Sequence, residues 1–239
     1  MARRRVRPAR DTEGSGGEAP LHIPLDRTRI LHAALGLLNE VGLKELSMRR
    51  VADALQVKTA SLYYHVKDKD RLLEWIADRI SEELGESEPE GTWREKLTAW
   101  GAHFRAVLLR YRDATEIFNS HLAAGAGRLA QIERLYRIFA EAGFPDPQIP
   151  WLSSMLKNYV LGFVAEELRL LAFAGHGEEA MAQLGEQYSR FYGELPPERF
   201  PHVVRLAAYT TESDGEAEFR FGLDVLLDGF QGRRSAVGP

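Results

Sequence analysis

Apolar residues recur at three- and four-residue spacing along nearly the whole chain, and the alternation of a strand appears nowhere. Asp26 is placed to cap a first helix whose stripe is Ile30, Leu31, Ala34, Leu37, Leu38 and Val41, and Gly42 to end it. Ser47 opens a second helix reaching Leu55, with Val51, Ala52 and Leu55 on its inner side. Gln56-Val57-Lys58 is long enough only for a turn. Thr59 then caps a short third helix that turns Leu62 and Val66 inward. A fourth starts near Lys69 and runs through Leu72, Leu73, Ile76 and Ile80 until ESEPEG, residues 86–91, breaks it. Further helical segments cover about 92–111, 114–121, 126–142, 148–175, 178–193, 196–210 and 216–231, with no repeat of fixed period. The pattern predicts an all-α chain of nine or ten helices. A helix-turn-helix unit spans 25–86, including the start of helix four, and a helical domain spans 87–232. An arm at 1–24 and a tail at 233–239 lack periodicity and read as disordered.

Two segments are apolar around more than one face. The stretch 148–175 carries Trp151, Met155, Leu156, Tyr159, Phe163, Leu168 and Phe173; the stretch 216–231 carries Phe219, Phe221, Leu223, Leu226, Leu227 and Phe230. Burial on two sides follows, either at the centre of one core or against a second chain.

Chemistry concentrates in 47–69. Lys58, Thr59, Ala60, Ser61, Tyr63, Tyr64 and His65 fall on the outer face or leading end of the third helix. Hydroxyls, a methyl and phenols there suit phosphates and base edges of a major groove. A basic helical hairpin is also commonly a solvated surface, but two adjacent tyrosines cannot both be core. Charge sharpens the contrast. Net charge is −4, yet residues 1–80 hold 15 Lys/Arg against 11 Asp/Glu, a balance of +4, so the remainder stands at −8. A basic head on an acidic body suits a DNA-contacting unit joined to one that touches no DNA. The Arg-rich start, ARRRVRPAR, is either a floppy tail or an arm that follows phosphates, and without an apolar stretch it is no secretory signal. Absence of cysteine excludes disulfides and thiolate metal sites and fits a cytoplasmic location. No apolar run reaches the about 18 residues of a membrane helix.

Catalysis finds no support. There is no HExxH, GxSxG, GxGxxG or Walker loop, and the seven histidines are scattered. No catalytic residue, metal ligand or cofactor is assigned. Glu166 and Glu167 stand together on an apolar helix, but adjacent positions diverge by about 100°, so at most one enters a pocket.

The string ILHAALGLLNEVGLKELSMRRVADALQVKTASLYYHVKDKDRLL, 30–73, resembles the N-terminal domain of the tetracycline repressor family, whose helices one to four its LLNEVG, L-Y-x-HVK-x-K and LL elements fit. TWREKL and FRAVLLRYRD within 92–113, LGFVAEE at 161–167 and FRFGLDVLLDGF at 219–230 resemble the C-terminal domain of the repressor that gives that family its name. The resemblance implies a dimeric, ligand-responsive regulator, usually a repressor, with an operator on double-stranded DNA and a small-molecule inducer. It places Arg49 as a base reader, where a guanidinium could grip guanine or, alternatively, a phosphate. Thr59, Ala60 and Ser61 fall on base-reading positions that hold glutamine, proline and threonine in the family, which implies a different operator. Tyr63, Tyr64, His65 and Lys69 fall on backbone-contacting positions, Tyr64 replacing a tryptophan. In the pocket, Phe118 stands where the family's metal-binding histidine is, Gly85 at a second histidine and Trp100 at a drug-binding asparagine; Phe104 and Glu166 are kept. A magnesium chelate loses its anchor. An aromatic lining of Trp100, Phe104, Phe118, Tyr159 and Phe163, with Glu166 as a polar contact, implies a planar or polycyclic ligand, unless these rings simply pack the core. Leu156, Phe163, Leu223, Leu226 and Leu227 are implied in the dimer's four-helix bundle. A helical small-molecule-binding or interaction module that does not touch DNA is the alternative.

Overall fold

A computed structural model describes residues 24–85, 87, 89–175, 178–211 and 214–235. The arm expected over 1–24 lies outside them but for Pro24, as does the end of the tail beyond Ser235.

Side-chain caps start the helices of the head. Asp26 accepts from Arg29 N at 2.8 Å and opens α1 (Arg27–Val41); Ser47 accepts from Arg50 N at 3.3 Å and opens α2 (Met48–Ala54). Asp68 does the same for α4 (Lys69–Glu82). The third helix differs from the expected start. Lys58, not Thr59, is the N-cap of α3 (Thr59–His65), and no side chain caps it. Ile30, Ala34, Leu38, Met48, Val51, Leu62 and Val66 close a small core beneath the three. Gly42 ends α1 at φ +80°, a conformation open to glycine.

The body follows as α5 (Trp93–Leu108), α6 (Ala114–Ser120), α7 (Ala126–Glu141), a 3-10 turn at Asp146–Gln148, α8 (Ile149–Ala174), α9 (Glu178–Gly193), α10 (Pro201–Thr211) and α11 (Gly215–Ser235). Thr92 and Glu95 form a capping box at the head of α5. Eleven α-helices are thus described, against nine or ten expected, and α11 runs through the first three residues of the expected tail. No strand occurs among the described residues.

α4 packs on α1 of the head and on α6 and α7 of the body. Buried apolar residues consequently make one contiguous core from Ile30 to Phe230. α8, about 39 Å long, is the spine of the body and touches α5, α6, α7 and α11.

The helices apolar on two faces resolve into an inner and an outer row. Leu156 of α8 and Leu223 and Leu227 of α11 are fully buried within this one chain, and Leu226 and Phe163 pack partly buried against the same core. Of the five expected at the dimer interface, Leu156, Leu223 and Leu227 are therefore intrachain packing, while Leu226 and Phe163 keep partly exposed surface. The outer rows are Trp151 and Met155 on α8 and Phe221 and Val225 on α11, each half-exposed or more.

Candidate DNA-reading face and ligand cavity

α3 buries only Leu62 among its seven residues, which leaves the rest for a partner. Ala60, Ser61, Tyr63, Tyr64 and His65 are exposed, Tyr64 to 90%, and its ring meets His65 edge-on at 5.4 Å. An amphipathic ring so far out of the core has no packing reason to be there. Lys58 is exposed beside them and Thr59 half-buried. Arg49 projects from α2, held only by an exposed contact to Asp53 at 3.9 Å that costs little to break. Lys69 is engaged otherwise: its Nζ donates to the Leu43 carbonyl at 3.0 Å and ties α4 to the α1–α2 corner. Of the nine expected DNA contacts, Arg49, Lys58, Ala60, Ser61, Tyr63, Tyr64 and His65 are exposed, Thr59 is half-buried, and Lys69 carries a structural bond.

In the body, α4, α5, α6, α7 and α8 surround a cavity of about 380 Å³. Trp100 and Phe104 (ring centres 5.0 Å apart) and Phe104 and Phe118 (5.5 Å) form one aromatic wall. Trp100 Nε1 donates to Gln131 Oε1 at 3.1 Å, and Gln131 Nε2 donates to the Gly85 carbonyl at 3.0 Å, so the indole is fixed by the end of α4. The Arg128 guanidinium lies 5.0 Å over the Phe118 ring and donates to the carbonyls of His121 (2.8 Å), Leu122 (3.2 Å) and Phe118 (3.4 Å), closing the end of α6. Burial holds this guanidinium below its ordinary pKa, with Asp78 and Glu74 acting the other way. Lys157 enters from α8, its ammonium pulled below the lysine range by burial and by the like charge of Arg128.

Three expected ligand contacts are corrected. Tyr159 and Phe163 stand outside the cavity; with Phe219 they form an aromatic cluster between α8 and α11, and Tyr159 Oη donates to the Phe219 carbonyl at 2.7 Å. Gly222 makes this possible, since a Cβ there would meet the Tyr159 ring. Glu166 is exposed and paired with Arg169, whose hydrogen bond lowers its pKa. Glu167 turns inward instead, but onto Arg105 at 2.7 Å, not into the cavity. Tyr111, outside the lining, donates to Glu83.

Arg128, Gln131, Ser153 and Lys157 escaped the sequence reading. A faint signal existed: Lys157 is the one charged side chain between Ile149 and Ala165. Among the described residues no group of three His, Asp or Glu converges as a metal site would need. Among the described residues the cavity is lined by one histidine, His121, and by no carboxylate, a poor match for a magnesium chelate.

Two rigid routes join cavity and head. α6 carries Phe118 in the cavity wall and begins right after Asp113, whose Oδ2 accepts Leu43 N at 2.7 Å; Arg112 N and Nη1 donate to Asn39 Oδ1 (3.0 Å) and the Glu40 carbonyl (3.1 Å). Gly42 admits this clamp, because a Cβ there would lie 2.9 Å from Arg112 Nε and Asp113 Oδ2. On the second route Asp78 of α4 accepts the backbone N–H of Arg128 at 3.0 Å.

Comparison with known proteins agrees with this geometry. Residues 30–76 match the family described as bacterial regulatory proteins, tetR family, and residues 85–234 match tetracyclin repressor-like, C-terminal domain. The class G tetracycline repressor protein of Vibrio anguillarum is 31% identical over 217 residues, 89% of this chain and 97% of that protein. Apo ActR of Streptomyces coelicolor superposes with a TM-score of 0.80 at 29% identity, over 90% of this chain and 99% of that one. ActR in complex with actinorhodin superposes at 0.78 with 30% identity, over 86% and 95%.

Proposed function

Because this chain belongs to the tetracycline repressor family of DNA-binding, ligand-responsive transcriptional regulators, we propose that it is a homodimeric repressor released from its operator by an aromatic or polycyclic ligand that carries no magnesium. The observation that carries this reading is the pairing of an open α3 face with an aromatic cavity through α4 and α6. That ActR forms a complex with actinorhodin supports a small-molecule ligand here too. No helix of the described residues is long and apolar enough to cross a membrane, and the regulator works where its DNA lies, in the cytoplasm.

In the unliganded dimer the two α3 helices stand one DNA turn apart, roughly 34–36 Å, and each enters a major groove. Arg49, Thr59, Ala60 and Ser61 read bases, while Lys58, Tyr63, Tyr64 and His65 grip phosphates. A ligand against Phe118 displaces α6. Asp113 and Arg112 then drag the α1–α2 corner, Asp78 draws on α4, and the spacing is lost. Such coupling is worth on the order of 1–3 kcal/mol.

The test is binding to DNA upstream of the chain's own gene as salt is raised. Log K falls linearly with log salt, with a slope of about −0.9 for each phosphate neutralised. Arg49→Ala weakens binding by about 1–3 kcal/mol. A flat salt response, or no binding, favours instead a helical ligand-binding or interaction module that does not touch DNA.

A further inference from the structure

The cavity is aromatic in bulk, yet its charge is one-sided. Arg128 and Lys157 line it, and among the described residues no aspartate or glutamate does. The hydrogen bonds of Arg128 are spent on carbonyls at and just beyond the end of α6, and the two carboxylates that bear on it, Asp78 and Glu74, stand outside the lining.

Lys157 differs. Its ammonium has no hydrogen-bond or ion-pair partner among the described residues, and the charge that bears on it, that of Arg128, has the same sign. One turn earlier on α8, Ser153 is 6% exposed and also lines the cavity, and its Oγ is buried without a partner among the described residues. A half-buried ammonium and an orphaned hydroxyl both cost free energy in the empty protein. The packing offers neither of them anything in return. One bound group would satisfy both: an anion whose two oxygens accept from the ammonium and from the hydroxyl.

We infer that the ligand is an aromatic acid, whose rings lie against Trp100, Phe104 and Phe118 and whose carboxylate is received by Lys157 and Ser153. This rests on the ligand-responsive reading above and narrows its chemical class. The positive charge of Arg128 nearby strengthens the preference for an anion and disfavours a cationic chelate.

The matched probes are 2-naphthoate and 2-naphthamide, which share a planar skeleton and differ by one charge. Each is titrated into the full-length dimer near neutral pH and read by calorimetry and by quenching of tryptophan fluorescence. The wild type prefers the naphthoate by about ten-fold or more. Lys157→Met erases that preference, Lys157→Arg retains most of it, and Ser153→Ala loses part. Equal binding of the two probes, no binding of either, or a preference that survives in Lys157→Met overturns the inference. Operator binding by the unliganded dimer is measured on the same samples. Its absence would refute the regulator and leave the naphthoate preference to be judged by itself.

Discussion

At Gln56 the backbone turns through the left-handed region, φ +56°, between α2 and α3. Val57 N bonds back to the Ala52 carbonyl and Gln56 N to that of Asp53, each at 3.0 Å, the paired bonds of a helix end that ordinarily uses glycine. A Cβ there is strained, so Gln56→Gly stabilises the head by about 1 kcal/mol. Urea unfolding checks it, with operator affinity unchanged; a fall in stability would show that the glutamine side chain holds the turn. The same scale explains why single residues were misassigned. Glu166 and Glu167 look alike in sequence, and their divergence allows only one inward. Arg105, 62 positions away, selects Glu167. Likewise Lys157 reads as a solvated lysine until α5, α6 and α7 close around it.

The element scale turns on helices with two apolar rows. Along α11, Phe219, Leu223, Leu227 and Phe230 face the chain's own core, while Phe221 and Val225 recur at helical spacing outside it. Periodicity displays both rows and ranks neither. Because the inner row is filled, we propose the outer one, beside Trp151 and Met155 of α8, as the dimer seam. Val225 is 54% exposed within one chain, so a charge there spares the fold. In a desolvated seam it is costly. Val225→Glu, alone or with Phe221→Glu, raises the dimer dissociation constant by about 100-fold or more. Sedimentation velocity checks this, and a dimer that persists would place the seam elsewhere.

For the molecule as a whole, the decisive feature is that head and body share one core and one polar clamp. Asp113 holds Leu43 from left-handed backbone, φ +58°, which asparagine tolerates and alanine resists. Asp113→Ala therefore loses about 1–2 kcal/mol and loosens the head preferentially, whereas Asp113→Asn stays near wild type. Hydrogen exchange reads the difference. Amides of 27–66 exchange faster while those of α7 and α8 do not, and uniform loosening would mean that Asp113 serves overall stability and not the junction.

The sequence by itself determined the helices and their order, because apolar spacing and the caps at Asp26 and Ser47 act within a few residues. It also displayed the exposed residues of α3 and the aromatic trio Trp100, Phe104 and Phe118, since large rings on an inward stripe have few places to go. Which apolar row faces inward, where Tyr159 and Phe163 pack, and which cations meet the cavity were decided only by tertiary structure. Those outcomes depend on side chains far apart in the chain competing for the same space. Helical periodicity fixes the direction of a side chain about its own axis; only the neighbouring helices fix what it meets.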